Sequence, residues 1–318
     1  MSTVVAVDVG GSGLRLVASR SGVPGPVLRA PGARVGPGGV DVAALAADAS
    51  RLLGAAGGPG SSAGSTGLDA VCWSMRGLLH LADPAEVLAA VAAALRPRAL
   101  AVVSDAVASL VGAVGGVRPG AVVAAGTGAV AFGSDFGETW VRVDGWGHVL
   151  GDRGSAAWVG LEGLRAALRH RDGVVGGSAG LLSAAEGLLG PCDTWPRRVM
   201  TGPDAPEVLA SAAPLVTAAA AAGDPVAGAI ASGAGRALAA SLLAAAAPLA
   251  APVLVGTGGL LGAHVVHDAF VEAVAAVGPA PVEAKGGALD GALHLGELLA
   301  RTGAVPTHER YVHLAPRP

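Results

Sequence analysis

The chain has 318 residues, a net charge of −3 and only 3% aromatic residues, and it is long enough for two domains. It has no basic block, which argues against nucleic-acid or anionic-membrane binding. Cys72 and Cys192 lack CxxC spacing, which excludes a disulfide framework and argues against a structural zinc or iron–sulfur site.

The N-terminus, MSTVVAVDVGG, lacks the basic start and long apolar run of a signal peptide, so we expect a cytoplasmic protein. Residues 237–263 carry no charge and are therefore a candidate membrane-spanning segment. Pro248 and Pro252 would break a spanning helix in its middle. The segment therefore predicts a helix that ends before Pro248, then a turn and a buried strand, PVLVG.

The first part of the chain alternates between strand and helix patterns. TVVAVDVG and GLRLVASR flank the turn GGSG and predict a β-hairpin, while LDAVCWS and ALAVVSD predict single strands. DVAALAADASRLLGAA predicts a helix capped by Asp41, and PAEVLAAVAAAL predicts one that begins at Pro84. Residues 57–67 predict a flexible connector.

The hairpin pattern returns in AVVAAGTGAVAFGS, and from residue 155 the pattern is mainly helical. The predicted helices are SAAWVGLEGLRAALRH, SAGLLSAAEGLLG, APEVLASAAPLVTAAAAAG and PVAGAIASGAGRALAASLLAAAA. The strand PVLVGTGG, the helix AHVVHDAFVEAVAAVG, the short strand APVEAK and the helix ALDGALHLGELLART complete the chain. This alternation predicts an α/β fold.

The repeated hairpin predicts two similar lobes across a cleft, residues 1–116 and 117–318, with the final helix able to pack back on the N-terminal lobe. Glycine turns let backbone N–H groups approach an anion closely, so the two turns could hold one polyphosphate from both sides. The alternative for either turn alone is an ordinary tight hairpin.

Five segments, in chain order, resemble the motifs of the N-acetylglucosamine kinase family: VAVDVGGSGLRLV, VVSDAVASL, VAAGTGAVAFG, GWGHVLGDRGSAAWVG and VLVGTGGLL. That family belongs to the superfamily of sugar kinases, heat-shock ATPases and actin. The resemblance implies a two-lobed actin-like ATPase with ribonuclease H-like lobes. It also implies ATP- and Mg²⁺-dependent phosphorylation of an aminosugar, N-acetylglucosamine or glucosamine, at the 6-hydroxyl.

On the nucleotide side, the resemblance implies that Asp8 holds Mg²⁺ through water, although an aspartate after a strand is often only a turn former. The implied phosphate-binding residues are Gly10, Gly11, Ser12, Gly126, Thr127 and Gly128, and the implied adenosine-side residues are Gly258 and Gly259. Asp105 resembles the catalytic base that accepts the proton of the attacking sugar hydroxyl. Its alternative role is an N-terminal helix cap.

On the sugar side, GWGHVLGDRGS resembles the sugar-binding loop. Asp152 would bond ring hydroxyls, Gly145 and Gly147 would let the backbone come close, and Trp146 would shape the pocket. Ser155 is placed to cap the next helix, Trp158 is expected in the core, and Asp144 is interpreted as a turn residue. Ser74 resembles a substrate-contacting serine, with a solvated loop serine as the alternative.

Departures from the family pattern leave the acceptor open. Ser12 replaces a threonine, Ser104 an asparagine and Ala129 a serine, and Arg15 is the nearest cation where the family has a lysine. Residues 30–42 contain no asparagine to contact a sugar.

Two other functions remain open: a dehydratase-activating ATPase, and a non-catalytic sugar- or nucleotide-sensing regulator. We expect a small-molecule sugar as partner, no nucleic acid and no membrane, and the alanine-rich helices of the second lobe could form a homodimer. A set of His264, His267, Asp268 and His294 has no metal-ligand spacing and is interpreted as ordinary helix residues.

Overall fold

The computed structural model describes residues 2–10, 13–32, 35–36, 39–55, 67–78, 80–202 and 204–316. Its strands are β1 Thr3–Val9, β2 Leu14–Arg20, β3 Val23–Pro24, β4 Leu28–Ala30, β5 Val35–Gly36, β6 Gly39–Val40, β7 Ala70–Met75, β8 Ala99–Ser104, β9 Gly120–Ala125, β10 Ala129–Ser134, β11 Trp140–Asp144, β12 Val253–Thr257 and β13 Val312–Leu314. Its α-helices are α1 Val42–Ala55, α2 Pro84–Leu95, α3 Asp105–Val114, α4 Ala156–Arg171, α5 Ala179–Leu189, α6 Trp195–Thr201, α7 Ala205–Ser211, α8 Ala213–Ala221, α9 Pro225–Ala246, α10 His264–Ala275 and α11 Ala288–Thr302.

The chain divides into two compact units. Unit 1 comprises Met1–Pro119, Asp135–Glu138 and Ala284–Pro318, and unit 2 comprises Gly120–Ser134 and Thr139–Glu283. The final helix α11 therefore belongs with the N-terminal segment. Each unit combines a β-sheet with α-helices, and the predicted α/β class is confirmed.

Unit 1 is built on a seven-stranded sheet with the order β13-β8-β7-β1-β2-β3, in which β4 also pairs with β2. Strands β1, β7 and β8 are parallel, so their carboxyl ends meet at one edge. Helix α11 packs on this sheet, and Gly296 approaches so closely that a Cβ there would lie 2.7 Å from Val4 Cγ1. The close helix–sheet contact compensates for the scarcity of large side chains.

Unit 2 contains a four-stranded sheet with the order β11-β10-β9-β12. Helix α9 packs on this sheet and on α10, and α4 packs against α5, α7 and α8. Trp158 lies against the core of this unit, as expected from the sequence. The core is made largely of alanine, valine and leucine from these helices.

Most predicted elements are confirmed, including both glycine hairpins and the Asp41 cap, whose carboxylate accepts from Ala44 N at 3.0 Å. The single helix predicted over residues 205–223 is wrong, because Pro214 lacks the N–H that would continue it and the chain forms α7 and α8 instead. APVEAK forms only the bridge between Val282 and Val255. Most of the predicted connector, residues 57–66, lies outside the described residues.

Helix α9 is the one described helix that is long and apolar enough to cross a membrane, judged by length and composition alone. Half of its most apolar window is buried inside the protein. The helix ends at Ala246, and β12 follows after a turn, as the sequence predicts. Gly235 lies where α9 meets α10, and a Cβ there would lie 2.3 Å from Val266 O. The packing of α9 therefore depends on the absence of a side chain at this position.

Two glycines of α9 provide a matched test of this contact. We expect Gly235→Ala to lower the free energy of unfolding by about 1–3 kcal/mol, because the added methyl group forces the two helices apart. We expect Gly228→Ala to leave it unchanged or raise it by up to about 1 kcal/mol, since a Cβ at Gly228 has no neighbour within 4 Å. Urea unfolding followed by circular dichroism measures both changes, and equal effects would contradict the close helix contact.

Asp224 connects the starts of two helices in unit 2. Its carboxylate caps α9 by accepting from Val226 N and Ala227 N, both at 2.9 Å, and it accepts from Ser178 Oγ at 2.5 Å. The Ser178 hydroxyl in turn caps α5 by accepting from Leu181 N at 3.1 Å. The hydrogen bond from Ser178, followed by those from the backbone, lowers the pKa of Asp224 below its ordinary value.

This lowered pKa predicts a stability that depends on pH. The carboxylate stabilises the fold above the pKa of an unfolded aspartate, about 4, and the contribution is lost as the pH falls through the lower folded-state value. We expect Asp224→Asn to be less stable than the natural protein at pH 7, with the difference shrinking towards pH 3. Urea unfolding at a series of pH values measures this, and a difference independent of pH would contradict the account.

Candidate active site

Asp8 lies near the carboxyl end of β1, between two polar side chains of neighbouring strands. Its register partners are Arg15 on β2 and Ser74 on β7. Ser74 Oγ donates to Asp8 Oδ1 at 3.1 Å, and the Arg15 guanidinium forms an ion pair with Oδ2. The Asp8 carboxylate is thus oriented on both sides, with one cation to balance its charge.

Ser74 is fully buried, so its interpretation as a solvated loop serine is wrong. The structure gives it a hydrogen bond to Asp8, whereas a contact with substrate remains a prediction. Arg15 is 44% exposed, and its guanidinium lies at the solvent side of the pair. From the sequence, Arg15 was identified only as the nearest cation. Its position opposite Asp8 in the predicted hairpin is the signal that could have identified it as the partner of Asp8.

Asp105 is the first residue of α3, directly after β8. The cap of this helix is Ser104, whose buried hydroxyl accepts from Val107 N at 3.4 Å. The interpretation of Asp105 as the N-cap is therefore wrong, and Ser104, noted only as a departure from the family, fills that role. Since Met75 pairs with Ser104 in register, Asp105 lies at the same sheet edge as Asp8 and Ser74.

The first glycine turn is closed by its own backbone. Gly10 N donates to Gly13 O at 2.9 Å, so this N–H holds the turn together. Gly11 and Ser12 lie outside the described residues. The phosphate-binding role predicted for them remains a prediction.

The second glycine turn joins β9 to β10 in unit 2. Gly126 N donates to Gly128 O at 2.9 Å, and the carbonyl groups of Gly126 and Thr127 accept from Ala156 N and Ala157 N at 2.9 and 3.0 Å. The turn is thereby fixed to the start of α4. Because the Gly126 N–H closes the turn, Thr127 and Gly128 are the residues whose N–H groups can serve a ligand.

Gly258 follows β12 and lies beside this second turn. Its φ of +106° suits glycine, and a Cβ there would lie 2.2 Å from the carbonyl oxygen of Ala125, the residue before Gly126. Gly258 and Gly259 are both exposed, and a short 3₁₀ turn, Gly259–Gly262, follows. The structure therefore places all five predicted nucleotide-binding residues of unit 2 at one sheet edge.

Residues 144–155, here named the aspartate loop, connect β11 to α4. Asp144 pairs with Val130 of β10 at one end, while at the other end Ser155 caps α4 by accepting from Trp158 N at 3.1 Å. The predicted cap at Ser155 is confirmed. Both ends of the loop are tied to the hairpin that carries Thr127 and Gly128, so the loop and the glycine turn form one connected frame.

Asp152 is 3% exposed, and its Oδ1 accepts from Gly147 N at 3.2 Å. Trp146 is 62% exposed, and the guanidinium carbon of Arg142 lies 5.2 Å from the centre of its ring. Arg142 also donates to Gly145 O. The loop thus gathers a buried carboxylate, an exposed aromatic ring and two glycines with φ of +74° and +86°, Gly145 and Gly147.

Asp144 does more than the turn residue predicted from the sequence. Its Oδ1 accepts from Gly145 N at 2.8 Å and from Asp152 N at 2.7 Å, and its Oδ2 accepts from Arg153 N at 2.9 Å. The sequence gives little signal for this role, because two of the three donors lie eight and nine residues further along the chain.

A family model describing the BadF/BadG/BcrA/BcrD ATPase family matches residues 65–285. A curated relative, the N-acetylmuramic acid/N-acetylglucosamine kinase of Clostridium acetobutylicum, is 38% identical over 71 residues, 22% of this chain. That match covers 23% of the relative, so this chain aligns with about a quarter of its length.

Two solved structures are similar over nearly the whole chain. A candidate N-acetylglucosamine kinase from Chromobacterium violaceum has a TM-score of 0.74 and 26% identity, covering 94% of this chain and 99% of that one. A ROK family glucokinase from Streptomyces griseus, in complex with glucose and AMPPNP, has a TM-score of 0.59 and 16% identity, covering 93% and 99%. The fold is thus the two-lobed, actin-like fold of these sugar kinases. With more than half of its length matched by the family model, the chain belongs to the BadF/BadG/BcrA/BcrD ATPase family.

Proposed function

We propose that the protein transfers the γ-phosphoryl group of ATP to the 6-hydroxyl of an aminosugar, N-acetylglucosamine or glucosamine, in the cytoplasm. The observation that carries the proposal is the placement of two carboxylates at one sheet edge, Asp8 on β1 and Asp105 after β8. One strand, β7, lies between β1 and β8, and Asp8 is in register with Val103 through Ser74. Asp105 lies two residues further along, so at a strand spacing of about 4.8 Å and a rise of about 3.3 Å per residue the two backbones lie about 12 Å apart. At that distance, Asp8 can serve the phosphates of ATP while Asp105 serves the acceptor hydroxyl of the sugar.

Asp105 acts as the general base in this proposal. Its carboxylate accepts the proton of the sugar hydroxyl as that oxygen forms a bond to the γ-phosphorus, and the bond from phosphorus to the β,γ-bridging oxygen breaks to release ADP. The position of Asp105 supports this role, because it follows β8 at the edge where the parallel strands β1 and β7 also end.

Mg²⁺ fits the donor set of unit 1. It usually keeps several waters and uses one or two protein carboxylates together with substrate phosphates. Among the residues that the structure describes, no cluster of three or more His, Cys, Asp and Glu side chains could form a metal cage. Asp8 would hold the ion through water, and the bound ion would neutralise charge on the phosphates. Ser74 and Arg15 keep the Asp8 carboxylate oriented for this purpose.

The nucleotide contacts in this proposal come from glycine turns. Thr127 and Gly128 offer N–H groups to the phosphates, and Gly11 and Ser12 of the first glycine turn do the same, while the Gly10 N–H closes that turn. The exposed Gly258 and Gly259 lie against the adenosine. The AMPPNP and glucose in the Streptomyces griseus structure agree with such a pair of substrates.

The sugar contacts come from the aspartate loop. Asp152 accepts from ring hydroxyls, Gly145 and Gly147 let the backbone approach the sugar, and Trp146 offers an apolar face to the ring. An N-acetylglucosamine acceptor agrees with the Chromobacterium violaceum and Clostridium acetobutylicum relatives. The sequence of residues 30–42 contains no asparagine to contact the sugar, and the sugar assay below distinguishes an acetylated from a free amine.

Of the alternatives, the dehydratase-activating ATPase is disfavoured by the cysteines. Such a protein holds an iron–sulfur cluster with paired cysteines, whereas Cys72 lies buried in unit 1 and Cys192 buried in unit 2. Burial also raises the pKa of the Cys72 thiol, which keeps it protonated. The non-catalytic regulator is the remaining alternative, and only turnover distinguishes it from the kinase.

The test is ATP consumption by the purified protein against a panel of sugars with and without acetylated amines. We expect one aminosugar to stimulate turnover. We expect Asp105→Asn to lower kcat by about 10²- to 10⁴-fold, because the base is lost while binding contacts remain. Asp268→Asn, at an exposed position on α10, is the matched control and is expected to retain full activity.

Two results would overturn the proposal. If ATP binds but no sugar stimulates its consumption, the protein is a regulator. If Asp105→Asn keeps the natural kcat, another group is the base.

A further inference from the structure

We propose that Asp144 is a positioning residue that sets the affinity of the protein for its sugar by fixing the backbone of the aspartate loop. This inference rests on the proposed function, in which Asp152 and its neighbours bind the sugar. Asp144 itself need not contact the sugar, since its carboxylate oxygens are directed at the backbone of the loop.

The first observation is the convergence of three backbone N–H groups on one carboxylate. Gly145 N and Asp152 N donate to Oδ1 at 2.8 and 2.7 Å, and Arg153 N donates to Oδ2 at 2.9 Å. Hydrogen bonds to an ionised acceptor are the strong ones in proteins. One side chain thereby joins the start of the loop to its last turn, across the six residues 146–151, which include Trp146 and Gly147.

The second observation is backbone strain at both ends of this connection. Asp144 has φ of +62° and Asp152 has φ of +54°, a region that residues with a side chain seldom adopt. Such conformations persist only where surrounding contacts determine them. At Asp152, the hydrogen bond from its own N–H to Asp144 supplies such a contact and so holds the carboxylate that is proposed to bind the sugar.

The third observation is the space made for this carboxylate. A Cβ on Gly151 would lie 2.3 Å from Asp144 Oδ1, so a side chain at residue 151 would displace the carboxylate. Gly151 N donates to Gly147 O at 2.8 Å, and a Cβ on Gly151 would also lie 3.0 Å from Trp146 Cβ. The loop is therefore packed around the Asp144 carboxylate.

These hydrogen bonds determine the conformation of the aspartate loop, whereas the fold of unit 2 does not depend on them. The ends of the loop have their own anchors, the pairing of β11 with β10 and the Ser155 cap of α4. The three bonds to Asp144 instead fix residues 145, 152 and 153, which adjoin or include the proposed sugar contacts. Loss of the carboxylate is therefore expected to loosen sugar binding while the hairpin and the nucleotide turn stay in place.

A series of variants separates the contributions. Asp144→Gly permits the positive φ but removes every carboxylate hydrogen bond. Asp144→Asn keeps one carbonyl oxygen and places an amide group where Arg153 N needs an acceptor. Gly151→Ala leaves Asp144 in the chain but displaces its carboxylate. Asp172→Asn, at the exposed end of α4, is the matched control.

The measurements are sugar affinity, by titration in the presence of a non-hydrolysable ATP analogue, and KM for sugar and ATP. We expect Asp144→Gly and Gly151→Ala to weaken sugar binding at least tenfold and Asp144→Asn severalfold. The KM for ATP should stay within about twofold, since the hydrogen bonds that fix the nucleotide turn are unchanged. Hydrogen exchange should show faster exchange at residues 145–153 in the Gly variant, with α4 still protected.

The outcomes are distinguishable. Natural sugar affinity in Asp144→Gly would overturn the inference while leaving the proposed function in place. A parallel loss of sugar and ATP affinity would also overturn it, because it would indicate a general structural defect. A natural protein that binds no sugar would refute the proposed function, and this inference with it.

Discussion

The parallel alignment of β1, β7 and β8 is the constraint on which the rest of the site in unit 1 depends. The register places Asp8 beside Ser74, and Met75 beside Ser104, so that the chain emerges from each strand at the same edge. Helix α11 supports this arrangement, because its glycines allow close contact with the sheet and with α3. A Cβ on Gly291 of α11 would lie 1.9 Å from Ala108 O of α3, and the helix that begins with Asp105 is held by this contact. Backbone packing thus positions the two carboxylates.

In unit 2, the β9–β10 hairpin and the aspartate loop position the predicted functional residues. The β9–β10 turn accepts hydrogen bonds from the first residues of α4, and the aspartate loop runs from the same hairpin to the same helix. Close approach again requires glycine, since a Cβ on Gly154 would lie 2.6 Å from Ala234 O of α9. In a chain with few aromatic residues, this backbone packing takes the place of large side chains in holding the functional segments.

The sequence predicted the fold class, both glycine hairpins and most helices, because these depend on local periodicity and turn chemistry. It missed β13, a three-residue strand near the end of the chain that pairs with β8, since such a pairing is set by contacts distant in sequence. It also missed β11 and α6. The α7–α8 break was missed although Pro214 was visible, because alanine-rich periodicity continued across it.

For the site, the residue types and their order along the chain were predictable, whereas their partners were not. Asp8 and Asp105 were named from the sequence, yet the pairing of Asp8 with Arg15 and the cap supplied by Ser104 needed the structure. Asp144 shows the limit most clearly. An aspartate before a glycine is an ordinary turn signal, and nothing local indicates that its carboxylate also holds residues 152 and 153.

The most direct measurement of the central claim is the fate of the transferred phosphoryl group. The protein is incubated with ATP and N-acetylglucosamine, or with glucosamine, and the products are followed by phosphorus NMR. The account predicts a sugar phosphomonoester whose phosphorus couples to the two protons on carbon 6, formed in equal amount to ADP. Inorganic phosphate as the only product, at a rate independent of the sugar, would contradict it.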